Sequence, residues 1–378
     1  MTTNGPVKIG VIGAGMISDQ YLTYLHDFPD VDVVAVGDLD TERAAAQATK
    51  YGIARSGDGA SVIANDQVEI VINLTIPAKH VEVSTAALNA GKHVWSEKPI
   101  GIDRDSAKEL VDLAATRGLL LGVAPDTVLG PSWQTAKRAI RAGAIGIPLS
   151  AVTSFQSQGP DWFHPGPEFL FAKGAGPLFD IGPYYLTALV HLLGPITQVV
   201  AVGTKAHETR TIRTGPRAGT EFPVEVPTHI NVISTLAGGE SASSLMSTDT
   251  PLFRHGVFEI NGTEGTIVLG DPNYFGGTPI KLYRPLQDLT QSTDQEPEIL
   301  EEQGPLSGRG VGALTMARTI RGLGELHVAT GELGYHVLDT MLCIEESIER
   351  HTFVDIKSTV APIQALPESF DPYEATII

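Results

Sequence analysis

Residues Val7–Ile12, V-K-I-G-V-I, run directly into Gly13-Ala14-Gly15-Met16-Ile17-Ser18. No other stretch constrains the fold as tightly. A short β-branched run reads as a buried strand, and the glycines after it demand a tight turn into a helix. Gly13 permits the turn. Gly15 has no side chain, so an anion can approach the backbone, and the helix behind it offers free N–H groups and a positive dipole end. The pattern is G-x-G-x-x-S, with Ser18 where Gly or Ala is usual. A second run, Val31–Val36, leads to Asp38, 23 residues beyond Gly15. A carboxylate at that spacing can accept hydrogen bonds from ribose hydroxyls. Gly13, Gly15, Met16, Ile17 and Asp38 are thus the first candidates for holding a dinucleotide. The bland alternative is a strand–helix turn beside a solvated acid. Asp38 would repel a 2′-phosphate, Leu39 and Asp40 supply no cation, and Arg43 could reach only by turning back. The expected cofactor is NAD rather than NADP.

The pattern of the first strand repeats. Glu69–Leu74, Lys92–Trp95 and Leu119–Val123 read as further strands, with helices from Thr41, over about His80–Asn89 and over Asp105–Thr116. Strands alternating with helices indicate a parallel sheet covered on both faces. After about Asp126 the pattern changes. A helix over Trp133–Ala142 precedes strand-like runs at Leu149–Phe155, Val199–Thr204, His229–Thr235, Ser243–Ser247, Gly256–Asn261, Thr266–Leu269 and Ile280–Tyr283. Turn residues separate them, which predicts a largely antiparallel sheet. Helices over Val311–Ala329 and Tyr335–Arg350 are expected to pack on it, and Gln287–Gln303 reads as a polar surface loop. The predicted fold is α/β: a doubly wound domain, 1–127, then an α+β domain with an open, mostly antiparallel sheet, 128–378.

Composition narrows the function. The chain has 378 residues, 44 acidic and 26 basic, for a formal charge of −18. Such a surface repels phosphate backbones and anionic lipid, so neither nucleic acid nor membrane is expected as a partner. One cysteine, Cys343, in an apolar helical stretch, excludes an intramolecular disulfide and reads as buried packing. The histidines show no metal-ligand spacing, and neither G-x-S-x-G nor a P-loop is present. With no signal-peptide pattern and no apolar run near the ~20 residues of a membrane span, a cytoplasmic protein is expected.

Two further segments lie at carboxyl ends of predicted parallel strands, where doubly wound folds bind ligands. Asn73-Leu74-Thr75-Ile76-Pro77, followed by His80, ends the third strand, and Trp95-Ser96-Glu97-Lys98-Pro99 ends the fourth. A lysine there can donate to a substrate hydroxyl or carbonyl, Glu97 can orient cofactor or lysine, and a cis Lys-Pro bond would fix the lysine's direction. With these motifs and Gly174-Ala175-Gly176-Pro177-Leu178-Phe179-Asp180-Ile181-Gly182-Pro183-Tyr184-Tyr185, the chain resembles the glucose–fructose oxidoreductase / inositol dehydrogenase / rhizopine-catabolism family of NAD(P)-dependent oxidoreductases. The resemblance spans essentially the whole chain. It implies a Rossmann domain, an open-sheet second domain, and hydride transfer at a carbohydrate or polyol carbinol. It also implies that Thr75, Pro77, His80, Glu97 and Lys98 join the cofactor site.

Asp180 and Tyr184 are four apart, so on a helix they share a face, whereas Tyr185 points about 100° away. That helix should continue to Gly194-Pro195. Many relatives resemble D-x-G-x-H here. Tyrosine replaces that histidine in this chain, as in the glucose–fructose oxidoreductase branch. Free phenol and lysine titrate near 10 and about 10.4. Beside positive charge the phenolate is favoured, so Tyr184 could take the carbinol proton while Lys98 hydrogen-bonds the oxygen; the reverse assignment is equally open. The catalytic candidates are Lys98, Asp180 and Tyr184. Substrate-binding candidates are these three with Asp126, Trp162, His164 and Tyr185. Trp162 and His164 sit in a Pro-rich loop that could be a pocket wall or simple packing. Asp126 and apolar Leu129 after the fifth strand favour a neutral polyhydroxylated substrate. The leading expectation is a sugar, glycoside or polyol dehydrogenase. The alternatives are an NAD-retaining enzyme that cleaves glycosides through transient oxidation and elimination, and a catalytically silent dinucleotide sensor. An uncovered apolar sheet face predicts a homodimer or homotetramer.

Overall fold

The computed structural model describes residues 5–286 and 295–377. They form two compact units. The first comprises Met1–Pro131, Gly304–Leu338 and Leu366–Ile378, and the second Ser132–Gln303 and Asp339–Ala365.

The first unit is built on six parallel strands, β1 (Val7–Ile12), β2 (Val31–Gly37), β3 (Arg55–Gly57), β4 (Ile70–Asn73), β5 (His93–Ser96) and β6 (Leu121–Val123). Their order, β3-β2-β1-β4-β5-β6, reverses at β1, which puts the ligand-binding crevice of such sheets beside β1 and β4. All four residues of β4 are buried, as a sheet covered on both faces requires. The covering helices are α1 (Met16–Asp27), α2 (Thr41–Tyr51), α3 (Gly59–Ile63), α4 (His80–Asn89) and α5 (Arg104–Arg117). Asp40 caps α2 by accepting from the N–H groups of Glu42 and Arg43, and left-handed Gly52 ends it. Edge strand β3 and helix α3 were not expected from the sequence: β3, Arg-Ser-Gly, has no apolar run, and the five residues of α3 are too few to show a helical period.

Late segments complete this unit. Helix α9 (Val311–Ile320) lies in it, after the second unit's α6 (Pro131–Arg141), α7 (Gly176–Asp180) and α8 (Gly182–Leu193), and α10 (Gly331–Arg350) begins in it. The buried Asp30 accepts from the backbone N–H groups of Thr376 (2.9 Å) and Ile377 (2.8 Å) and from Arg318 Nε (2.8 Å). Burial alone would raise its pKa, but the Thr376 hydroxyl, the Ile377 N–H and Arg318 together bring it below the ordinary value. The single helix expected over Val311–Ala329 stops at Ile320, and the next begins at Gly331 rather than Tyr335.

The second unit holds a nine-stranded sheet. Its strands are β7 (Pro148–Gln156), β8 (Ile196–Thr204), β11 (His229–Leu236), β12 (Ser241–Ser247), β13 (Arg254–Gly262), β14 (Thr266–Leu269), β15 (Ile280–Tyr283), β16 (Glu298–Leu300) and β17 (Val354–Asp355); β9 (Thr209–Thr211) and β10 (Glu221–Pro223) make a separate ribbon. Every neighbouring pair is antiparallel except β12 with β7. The fold is thus the expected α/β with a mostly antiparallel second sheet. Strand β16 falls inside the expected loop Gln287–Gln303, of which 287–294 lie outside the described residues. Register places Val152, Ser243, Ile233 and Val200 in one row across four strands, and Leu245, Asn231 and Val202 in the next. These side chains are exposed or half-buried, while Ala151, Ala242, Val232 and Ala201 on the other face are buried. Cys343 is buried in α10. No described helix is long and apolar enough to cross a membrane.

Candidate active site

The glycine turn has the geometry an anion site needs. Gly13 has φ +108°, and a Cβ there would lie 2.5 Å from the Leu74 carbonyl oxygen. A Cβ at Gly15 would project into open space. Gly15 is the N-cap of α1 and contributes no side-chain cap, so the helix end is left for a ligand. Met16 is exposed and Ile17 half-buried. Ser18 fits the third fingerprint position because its hydroxyl turns inward, donating to the Gly15 carbonyl (2.6 Å) and accepting from Gln47 (2.8 Å). Asp38 accepts from the Ala14 N–H (2.7 Å) and the Asp40 N–H (2.9 Å), which ties the turn to the end of β2. Arg43 does turn back, to 3.5 Å from both Asp38 and Asp40. These residues fit a dinucleotide: a glycine cradle, a helix N-terminus without a side-chain cap, and a carboxylate at the strand end.

Beside this turn, Asn73 at the end of β4 organises the next loop. Its amide donates to the His80 carbonyl and the Ser84 hydroxyl, each 3.0 Å away, and its oxygen accepts from the Thr75 N–H (3.2 Å) and hydroxyl (2.6 Å). The His80 ring, buried, bridges the carbonyls of Pro99 (2.6 Å) and Thr75 (2.9 Å). His80 therefore pins two loops together, while Pro77 is exposed. The Lys98–Pro99 bond is cis. Glu97 accepts from the Tyr21 hydroxyl (2.8 Å) and the Lys98 N–H (3.0 Å), and Trp95 donates to Tyr21 (3.2 Å). Burial, with Glu97 and Asp126 nearby, pushes the Tyr21 phenol far up, so it stays a donor. Asn73 and Tyr21 were missed from the sequence. A lone Asn inside the apolar run E-I-V-I-N-L was the available signal, since a buried amide must be doing hydrogen-bond work.

Asp126 is fully buried. One oxygen accepts from the N–H groups of Gly310 (2.8 Å) and Gly312 (3.2 Å), capping α9, and the other has no hydrogen-bond partner among the described residues. Burial raises its pKa to about 6 against the pull of Arg309 and the two amides. This corrects the expectation of a substrate-facing carboxylate: Asp126 is a clamp within its unit.

In the second unit, the helix expected to carry both Asp180 and Tyr184 is two helices. Helix α7 ends at Asp180 and α8 starts at Gly182, with Ile181 as the joint. Pro183 has no N–H to continue the ladder, which breaks it there. Helix α8 runs on to Leu193, and Gly194 at φ +103° ends it as expected. Tyr184 is buried and Asp180 half-buried. Tyr185 is core: its hydroxyl donates to the Ser154 carbonyl (3.3 Å) and accepts from the Gly256 N–H (3.1 Å), and burial raises its pKa strongly. That replaces the substrate-binding role expected for it. His164 accepts from the Gly166 N–H (3.1 Å) and packs edge-on against Phe169, while Trp162 is exposed. Among the described residues no cluster of three His, Cys, Asp or Glu side chains is placed to hold a metal.

Residues 7–124 match the model of an oxidoreductase family with an NAD-binding Rossmann fold, and residues 133–268 match the Gfo/Idh/MocA C-terminal domain. The chain belongs to the Gfo/Idh/MocA oxidoreductase family. It is 27% identical over 269 residues to D-apiose dehydrogenase of Paraburkholderia graminis, covering 71% of this chain and 68% of that one. It is 30% identical over 210 residues to D-glucoside 3-dehydrogenase of Escherichia coli, covering 51% and 55%. Among solved structures, levoglucosan dehydrogenase in complex with NADH and L-sorbose superposes with a TM-score of 0.81 at 23% identity, over 93% of this chain and 99% of that one.

Proposed function

We propose that the chain is an NAD-dependent dehydrogenase acting on a carbinol of a sugar, glycoside or polyol. The observation that carries this is the company Lys98 keeps. The glycine turn after β1, the Thr75 loop after β4 and the Glu97-Lys98-Pro99 turn after β5 stand side by side at the strand ends, the last two joined by the His80 ring. A dinucleotide cradle after β1 and a lysine two strands away, after β5, suit redox chemistry at a carbon bearing oxygen. NAD, when bound, supplies the hydride acceptor.

The chain's own residues hold it and handle the proton. Backbone N–H groups at the start of α1 receive the pyrophosphate, and Asp38 receives the ribose hydroxyls, which favours NAD over NADP. Thr75 and Glu97 shape the floor, and His80 and Asn73 hold the loops in place. Lys98 donates to the carbinol oxygen, Tyr184 takes its proton, and Asp180 orients the lysine or binds a neighbouring hydroxyl. Lys98 as the base is the competing assignment. The names of the relatives, a D-apiose and a D-glucoside dehydrogenase, support a carbohydrate substrate. A homodimer or homotetramer, built through the open face of the nine-stranded sheet, and a cytoplasmic location complete the reading.

The test is a panel of monosaccharides, glycosides and inositols with NAD, followed by NADH absorbance. Accumulation of NADH with at least one member is expected. Glycoside cleavage without NADH would favour the elimination mechanism instead, and neither product with any member would overturn both.

A further inference from the structure

The second unit contains a cavity of about 290 Å³ between the ribbon β9–β10 and the loops that follow β7 and β12, lined by Gln158, Trp162, His207, Thr209, Arg213 and Thr250 among others. Its frame is rigid. Arg210 donates to the Gln158 carbonyl (2.7 Å), Asp161 (2.6 Å) and the Thr248 carbonyl (2.6 Å), and also pairs with Asp249. The guanidinium sits 5.1 Å from the Phe171 ring centre, over a small apolar cluster of Phe171, Ile212, Phe222 and Val224. One buried cation thus ties two loops to the ribbon, and little entropy is left to lose when a ligand enters.

The lining specifies a ligand. The lining carries two carboxylates, Asp161 and Asp249, and two guanidinium groups, Arg210 and Arg213, so these formal charges cancel. What remains is hydroxyl and amide chemistry from Thr209, Thr211 and Gln158. The Thr250 hydroxyl is shut away from solvent, with no hydrogen-bond partner among the described residues. Trp162 is 52% exposed at the rim, with Arg213 5.3 Å from its ring centre. An indole face beside neutral polar groups suits a ring with apolar C–H faces and hydroxyl edges. The volume is at the small end for ligand pockets, which start near 300 Å³.

We propose that this cavity binds one neutral saccharide ring, so that glycosides and disaccharides are held more tightly than free monosaccharides. The link to turnover rests on the carbohydrate dehydrogenase reading; the binding itself does not. Trp95 and Trp133 are buried, so Trp162 is the tryptophan a quencher can reach. Acrylamide quenching of the full chain, without NAD, is then titrated with cellobiose, maltose and methyl β-glucoside. At least one should protect Trp162, and the effect should vanish in Trp162→Phe. Arg213→Ala should weaken protection about tenfold, the loss of one good hydrogen bond or stacking partner. In turnover, Arg213→Ala should raise KM for a disaccharide more than for its monosaccharide. A chain that oxidises no sugar yet shows protection would sink the dehydrogenase reading and leave the subsite standing. Sugar oxidation with no protection by any probe would overturn the subsite, as would stronger protection by glucose 6-phosphate than by the neutral sugars.

Discussion

The carboxylate of Asp38 holds the Ala14 N–H at 2.7 Å while Arg43 stands 3.5 Å away. One side chain therefore shapes the glycine turn and sets the charge met by a ribose. Asp38→Ser should narrow a wild-type preference for NAD over NADP by about tenfold or more, one lost charged contact, read as the ratio of kcat/KM values. Arg43→Ala should widen it, because it removes the nearest cation. A wild-type preference for NADP would refute the assignment. Tyr184→Phe should lower kcat by about 10²–10⁴-fold, the usual worth of a positioned proton transfer, with the Kd for NAD unchanged by fluorescence titration. Near-normal turnover would transfer the base role to Lys98. The glycine turn and Asp38 were legible because their spacing is a local matter. Arg43's return was not, because a helix's first turn can fold a long side chain back over its own cap and only coordinates show it.

At the scale of elements, the strands that could be read were those carrying apolar residues, short β6 as well as long β11, whereas β3, Arg-Ser-Gly, carries none. The break between α7 and α8 was there to be seen in Gly182-Pro183, but the four-residue spacing of Asp180 and Tyr184 favoured a continuous helix. The partner of Asp126 was beyond reach, since Gly310 lies 184 positions later. That clamp has a measurable pH signature. Its folded pKa is about 6 and its unfolded value about 3.9. Between those values the folded chain keeps a proton the unfolded chain releases, so this group's contribution to stability falls as pH rises from about 4 to about 6 and is flat above. Asp126→Asn keeps an acceptor for Gly310 and Gly312 and removes that slope. Urea unfolding should show the variant gaining on wild type across this window, by about 3 kcal/mol at most. A constant difference from pH 4 to 7 would refute the clamp's ionisation.

For the whole molecule, the rows Val152, Ile233, Val200 and Leu245, Val202 make an apolar face on the sheet of the second unit. Light scattering at micromolar concentration should report a dimer or tetramer, and Ile233→Lys with Val202→Lys should shift it toward monomer. A wild-type monomer would contradict the proposal. The sequence showed this face because alternation along β8 and β11 has a period of two. It did not show that the first unit is assembled from three stretches of chain, because strand periodicity carries no record of where a late segment will dock. That assembly has a consequence for biosynthesis. A ribosome releases β1 to β6 early, but Asp30 then waits for Arg318, Thr376 and Ile377, and Asp126 for Gly310. The cofactor-binding half, first to be synthesised, is among the last parts to be finished, so a nascent chain stalled before residue 304 exposes two uncompensated carboxylates where the mature protein has a closed core.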